Sequence, residues 1–279
     1  MRIDAHQHFW QYSPEEYGWI SEAMPAIRRS FGPDDLKPLL DAADFQASVA
    51  VQARQSLEET RWLLHLADAH AHVAGVVGWV ELCSPDVLGQ IEDFAHNPKF
   101  VGVRHVLQDE PDDEFMLRED FRAGLGLLNG YGLAYDLLLH PRHLPIAAKL
   151  VARFPEQRFV LDHLAKPFIA DGKISPWRED LQALAAFPNV YCKLSGMVTE
   201  AKWGAWAEAD FAPYLDAALE AFGADRLMIG SDWPVCLLSG DYAATMGIVM
   251  QYIEKLSGAE QAAILGGNCA RFYRLKAAS

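Results

Sequence analysis

The chain has 279 residues, of which 51% are hydrophobic and 22% charged, and its net charge is −14. That is enough apolar material to bury a large core in one domain spanning residues 1–279, of a size that suits an α/β barrel or a doubly wound sheet. The acidic balance, with no basic run, argues against nucleic acid or anionic membranes as partners, and no apolar run reaches the roughly 20 residues of a bilayer span.

The N-terminus lacks a signal-peptide pattern because a strand begins at once. Cys83, Cys192, Cys236 and Cys269 are scattered without a C-x-x-C pair, which reads as reduced thiols in a cytoplasmic protein. The first predicted strand, residues 2–7, carries His6, with His8 two residues on; i and i+2 in a strand share one side. A long connection follows, from about residue 9 to 45, and holds Phe9, Trp10, Tyr12, Tyr17, Trp19 and Phe31. A long aromatic loop at a barrel mouth reads either as a lid or specificity wall, or as aromatics packing the loop onto the barrel. Further strands are predicted at 47–52, 73–80, 100–106, 132–139, 158–163, 189–194 and 226–231, several rich in Val, Ile, Leu and Tyr as buried parallel strands are.

Helices fall between these strands. Ser56-Leu-Glu-Glu59 reads as a capping box ahead of Trp62, Leu63 and Leu66. Ser84-Pro85 and Ser175-Pro176 each place an N-cap before a proline at the first helical position. Val87, Leu88, Ile91, Phe94 and Ala95 follow helical spacing. Gly223 reads as the C-cap glycine of the stretch ending at Phe222, and Ser257 with Glu260 opens the last helix with another box. Eight strand–helix units predict a (β/α)8 barrel, with an open sheet as the alternative; the Gly-rich phosphate loop after the first strand is absent.

Barrel enzymes keep their chemistry at the C-terminal strand ends, so polar residues that end apolar runs are the candidates. They are His6, His8, Gln52, Trp79, Glu81, Arg104, Tyr135, Asp136, His140, His163, Lys193, Ser195 and Asp232. Each has a structural alternative: His163 as a satisfied core histidine, Asp162 and Asp232 as helix caps, Lys193 snorkelling outward, Arg104 binding an acidic loop. Their recurrence at nearly every strand end favours a site. His65, His70, His72, His96 and His105 lack this placement and read as structural, and Cys236 is not read as a nucleophile.

Ile-Asp-Ala-His-Gln-His at the first strand, His163 at the sixth and Gly-Ser-Asp-Trp-Pro at the eighth resemble the amidohydrolase superfamily. The C-terminal Gly-Gly-Asn-Cys-Ala-Arg-Phe-Tyr resembles the closing helix of its amidohydrolase 2 branch. Within that branch the chain is similar to the sugar lactonases of the L-fuconolactonase and L-rhamnono-1,4-lactonase types. The stretches that carry this are His-Gln-His-Phe-Trp (6–10), Val-Gln-Ala-Arg (51–54), Val-Gly-Trp (77–79), Leu-Gln-Asp-Glu (107–110), Leu-Asp-His-Leu-Ala-Lys-Pro (161–167), Cys-Lys-Leu-Ser-Gly (192–196) and Ser-Asp-Trp-Pro-Val-Cys (231–236). The resemblance spans nearly the whole chain.

It implies a hydrolase that opens a sugar lactone to the aldonic acid, a carboxylic-ester hydrolase of sugar catabolism. Two-metal members carry a bridging lysine or glutamate on the fourth strand and a histidine on the fifth. Here the fourth offers Arg104, and His140 is out of register, so a binuclear centre is not expected. His6, His8, His163 and Asp232 could hold one divalent ion, zinc first, while the branch also includes members that hydrolyse without metal. Asp232 is the expected general base, with His163 and His6 or His8 polarising the carbonyl. Arg104 and Lys193 are expected to stabilise the oxyanion or bind ring hydroxyls, and Gln52, Glu81 and Trp19 to position the substrate. The rival readings are a metal-dependent decarboxylase, a hydrolase of an acidic lactone, and a non-catalytic carbohydrate-binding barrel. A homodimer is compatible with exposed loop aromatics.

Overall fold

The computed structural model describes residues 1–275. Its centre is one eight-stranded sheet in the order β1 to β8, with every neighbouring pair parallel. The strands are β1 Ile3–Gln7, β2 Ala47–Val51, β3 Val73–Gly78, β4 Phe100–His105, β5 Ala134–Leu137, β6 Phe159–Leu161, β7 Val190–Leu194 and β8 Leu227–Ile229. All eight fall within the predicted windows, each ending up to two residues earlier. Helices such as Leu57–Ala69, Val87–Ala95, Trp177–Ala185 and Glu208–Phe222 connect them. The result is a (β/α)8 barrel, and the open-sheet alternative is set aside.

The barrel closes between β8 and β1 just beyond the end of β8. Asp232 N donates to His6 O at 2.8 Å and His8 N to Trp233 O at 2.7 Å. Lower on the seam a side chain replaces the ladder. Asp4 accepts from Ser231 N at 2.9 Å, Ser231 Oγ at 2.6 Å, Tyr242 Oη at 3.2 Å and His6 N at 3.2 Å. Burial raises the Asp4 carboxyl to about 6 even against these four donors. Gly230 belongs to the same seam, because a Cβ there would stand 2.9 Å from His6 Cβ and 3.1 Å from His6 N. The end of β8 therefore reaches the base of the histidine pair only through glycine.

Local signals differ from the structure in three places. Ser56 caps its helix by accepting from Glu59 N at 3.1 Å, but the Glu59 carboxylate turns away. It binds Ala53 N, Arg54 N and Tyr17 Oη, each at 2.9 Å, so the box is half made and Glu59 pins the β2 loop instead. Ser84 closes a local turn onto Asp86 N, and the helix starts two residues later than expected, at Val87. The helix after Ser175-Pro176 starts at Trp177. Ser257 and Glu260 do form the expected box, and Gly223 ends its helix at φ +65°.

The segment between β1 and β2 contains a short turn of helix at Pro25–Ile27 and the helix Pro33–Ala42. Phe9, Trp10, Tyr17 and Phe31 are buried, with Trp10 edge-on to Phe31 at 5.6 Å. Trp19 meets Trp10 at 5.7 Å yet stays 40% exposed. These aromatics anchor the segment and leave one ring at the barrel mouth.

Replacing Asp4 with alanine strands the Ser231 amide and hydroxyl and the Tyr242 hydroxyl inside the seam. The expected loss is about 3 kcal/mol, read as a lower urea midpoint at pH 7; an unchanged midpoint contradicts this role for Asp4.

Candidate active site

The C-terminal strand ends open into a cavity of about 650 Å³. Its wall includes His8, Trp19, Arg54, Arg104, Gln108, His163, Lys166, Glu200, Trp203 and Asp232.

At the floor, three histidines converge on Asp232. His8 Nε2 lies 3.2 Å from Asp232 Oδ1, and His6 Nε2 and His163 Nε2 each lie 3.8 Å from that same oxygen. His6 Nε2 and His8 Nε2 are 3.1 Å apart. His8 Nδ1 faces the Val51 carbonyl at 2.7 Å, so its ring proton sits on Nδ1 and Nε2 presents a lone pair to the cavity. A bare lone pair facing a carboxylate oxygen is repulsive; a proton on Nε2 or a shared cation relieves it. Burial keeps His6 well below the usual histidine range despite Asp162, and takes His163 down to about 4 despite Asp232 and Asp162. Both rings are therefore neutral at pH 7. Burial works against ionised Asp232 too, but the adjoining imidazoles, His163 first, then His8 through its hydrogen bond and His6, outweigh it when they carry the proton, holding the carboxyl well below the ordinary range. The neighbours thus tune Asp232 downward, where burial alone would have raised its proton affinity.

Below this floor lies a buried ion cluster. Lys193 Nζ donates to Asp136 Oδ2 at 2.5 Å, lies 2.9 Å from Asp162 Oδ1 and is 3.1 Å from His6 Nδ1. Arg104 Nη1 donates to Asp162 Oδ2 at 3.1 Å and lies 3.4 Å from His6 Nε2, and Arg104 Nη2 holds Gln52 through its carbonyl and its Oε1. Tyr273, from the last helix, donates to Asp136. Two carboxylates and two cations balance. Desolvation opposes the charges on Asp162 and Lys193, but the mutual attraction wins, lowering Asp162 well below and raising Lys193 above their usual values.

Three expectations are corrected, two of them by this cluster. Lys193 was expected to face the substrate, but it is fully buried, donating to Asp136 and lying against Asp162 and His6 inside the barrel. Gln52 is also fully buried and is spent on Arg104. Glu81 lies away from the cavity, because β3 ends at Gly78 and the chain has turned; its amide is bonded to Gln90 Oε1 at 2.8 Å. Arg104 does reach the cavity wall, although most of its donors point inward, and Trp19 lines the mouth. Cys236 is buried and its thiol is held well above the usual range, chiefly by burial. His140 lies outside the convergence, and His105 is engaged with Glu110 at 2.6 Å.

The backbone carrying these groups is strained. His163, Leu164, Ala165 and Lys166 all have φ between +52° and +59°, and Asp232 has φ +56°. Left-handed conformations cost L-residues roughly 1–2 kcal/mol each. The turn is tied by Lys166 N to His163 O at 2.7 Å and by Trp177 Nε1 to Leu164 O at 2.7 Å. Ser195 Oγ lies 2.8 Å from His163 Nδ1, and Gly196 (φ +62°) lies flat beneath the ring, where a Cβ would come 2.5 Å from Nδ1. Strain of this kind concentrates where a side chain must be aimed.

The donor set suits a metal ion. Ligands at about 2.0–2.1 Å around a tetrahedral zinc stand about 3.3 Å from one another, and the His6–His8, His8–Asp232 and His6–Asp232 separations of 3.1, 3.2 and 3.8 Å bracket that value. His6, His8 and Asp232 form one triplet of convergent donor atoms, and His6, Asp162 and His163 a second. Asp162 Oδ1 is buried with no hydrogen bond of good geometry, 3.3 Å from His6 Nδ1. A proton on Nδ1 would satisfy it and free the Nε2 lone pair for the cavity, the usual carboxylate–histidine–metal arrangement.

Some residues at the site are not at strand ends and escaped the sequence reading. Asp162 reads in the sequence as a cap, and Lys166, Glu200, Gln108 and Trp203 lie three to nine residues beyond their strands. Asp4 gave no signal, since a single acid inside an apolar strand has no spacing partner.

Three comparisons bear on this site. The amidohydrolase family model matches residues 3–275. The L-fucono-1,5-lactonase of Burkholderia ambifaria is 43% identical over 98% of this chain and 96% of its own, and that of Burkholderia multivorans is 43% identical over 99% and 96%. A crystal structure of an amidohydrolase from Burkholderia multivorans with bound zinc superposes with a TM-score of 0.96 at 44% identity, covering 99% of this chain and 100% of the other.

Replacing Lys193 with methionine leaves Asp136 and Asp162 facing each other without their cation. The expected cost is about 3–5 kcal/mol, measured by chemical unfolding. A stability loss below about 1 kcal/mol would show that the cluster is not an ionised network.

Proposed function

The chain belongs to the amidohydrolase family, and from that premise we propose that it hydrolyses a sugar lactone, L-fucono-1,5-lactone or a close relative, to the aldonic acid. The observation that carries this reading is the meeting of Asp232 with three histidines at a cavity floor, in a chain 43% identical to curated L-fucono-1,5-lactonases. The rival barrel chemistries lack comparable support.

The lactone carbonyl is placed at the floor, beside His8, His163 and Asp232. Asp232 is ionised at neutral pH and accepts the proton of the attacking water as the water oxygen bonds to the carbonyl carbon. His163, neutral and aimed by Ser195, Gly196 and its strained turn, steadies the charge that develops on the carbonyl oxygen. Arg104 adds positive potential at the same floor. The tetrahedral intermediate collapses with cleavage of the acyl carbon–ring oxygen bond. Asp232 returns its proton to the leaving alkoxide, and the carboxylic acid formed ionises in water. His6, His8, His163 and Asp232 would hold one divalent ion, zinc being the ion their N and O donors suit. Such an ion would supply Lewis acidity and make a water molecule a stronger acid.

The test is Asp232→Asn, which keeps the volume and one acceptor but removes the base. The variant should fold with an unchanged circular dichroism spectrum and lose about 10²–10⁴-fold in kcat on the lactone. A variant within a few-fold of wild type would contradict the role of Asp232.

A further inference from the structure

Most charges on the cavity wall are already engaged by the protein. Arg54 pairs with Glu16 at 2.7 Å, Arg104 with Asp162 at 3.1 Å, Glu110 with His105 at 2.6 Å and Asp232 with His8 at 3.2 Å. Two half-buried groups differ, Lys166 and Glu200. Among the described residues neither has an ion-pair partner within 4.0 Å, nor a side-chain hydrogen bond, although Glu200 feels the charges of both Lys166 and Asp232. These opposite charges influence one another without forming an ion pair. Lys166 ends the left-handed run after β6, and Glu200 ends the four-residue helix Met197–Glu200 that follows left-handed Gly196. The strain that aims His163 thus also aims Lys166, and Gly196 sets the position of both the His163 ring and the start of the Glu200 helix.

A cation and an anion held apart on the wall of a site await something between them. We propose that Glu200 and Lys166 read the hydroxyl groups of the substrate ring, restricting the site to neutral, polyhydroxylated lactones. Glu200 offers two acceptor oxygens to neighbouring hydroxyls, and Lys166 offers donors to hydroxyl oxygens. The uncompensated carboxylate also raises the energy of any substrate bearing its own carboxylate, because like charges in a partly desolvated wall repel. Burial pushes the Glu200 carboxyl upward, Lys166 opposes this, and Asp232 adds to it, as expected for an acceptor that gains from an incoming hydroxyl. This inference rests on the lactonase reading and goes beyond it by assigning what sets the substrate class.

The experiment compares two lactones with the same reacting group. One is L-fucono-1,5-lactone, and the other is δ-valerolactone, a six-membered lactone with no hydroxyls. The readouts are kcat and KM for the wild type, Glu200→Ala, Glu200→Gln and Lys166→Met. A site built to bond substrate hydroxyls loses most on the substrate that carries them. Glu200→Ala should therefore lower kcat/KM on the sugar lactone about 10- to 100-fold, chiefly through KM, against less than about 3-fold on δ-valerolactone. Glu200→Gln should fall between wild type and alanine, and Lys166→Met should show the same selective loss. Equal losses on both lactones, or no loss on either, overturn the inference. If the wild type opens δ-valerolactone or another ester but no aldonolactone, the lactonase reading fails instead, and the two failures are told apart by the wild-type data alone.

Discussion

Asp162 is the residue on which the site depends. It lies fully buried at the end of β6, between the Lys193 ammonium, the Arg104 guanidinium and the His6 ring. Removing a carboxylate from water costs several kcal/mol even in relaxed protein, and this one is kept ionised because two cations reach it. The reverse also holds for Lys193, whose ammonium is buried in the barrel interior and is kept charged by Asp136 and Asp162. The four charges form a closed set below the cavity. Its purpose in the architecture is to hold His6, which touches three of its members while turning Nε2 toward His8 and Asp232. Fixing one imidazole in this way fixes the cavity floor where His8 and Asp232 meet it.

From this floor outward the charges change in kind. Those beneath it are paired and structural, those at it are shared between histidines and Asp232, and those on the wall at Lys166 and Glu200 are held apart. Two strained stretches make that gradient, the left-handed run from His163 to Lys166 and the left-handed Asp232. Both follow short strands, β6 and β8, of three residues each. Short strands end the ladder early, so the next residues are free to take conformations that regular pairing forbids, and tight tertiary ties such as Trp177 to the Leu164 carbonyl keep them there.

The barrel was legible because its signals are periodic and repeated. Eight apolar runs of strand length, separated by amphipathic stretches, leave few architectures open. The convergence of His6, His8, His163 and Asp232 was legible as well, because each interrupts an apolar pattern at a strand end. Lys193, Gln52 and Glu81 passed the same filter and do not line the cavity. An inward polar residue at a strand end can face up to the substrate or down into the barrel, and sequence spacing cannot tell the two directions apart. Lys166 and Glu200 were missed for the opposite reason. Lys166 ends a turn and Glu200 a four-residue helix, both placed by positive φ values, at His163–Lys166 and at Gly196, that no local propensity of Leu, Ala or Lys announces. The alternation of aromatics after β1 carried half its meaning: the burial of Trp10, Tyr17 and Phe31 is a packing matter, and only Trp19 stands at the mouth.

The central claim is that Asp232 and the converging histidines open a sugar lactone. The most direct test is a pH-indicator assay of proton release over a panel of aldonolactones, run on protein stripped by chelator and on protein reloaded with zinc. The account predicts rapid, stoichiometric proton release from L-fucono-1,5-lactone or a close stereoisomer in at least one of the two preparations. Release no faster than spontaneous hydrolysis for every lactone, in both preparations, would contradict it.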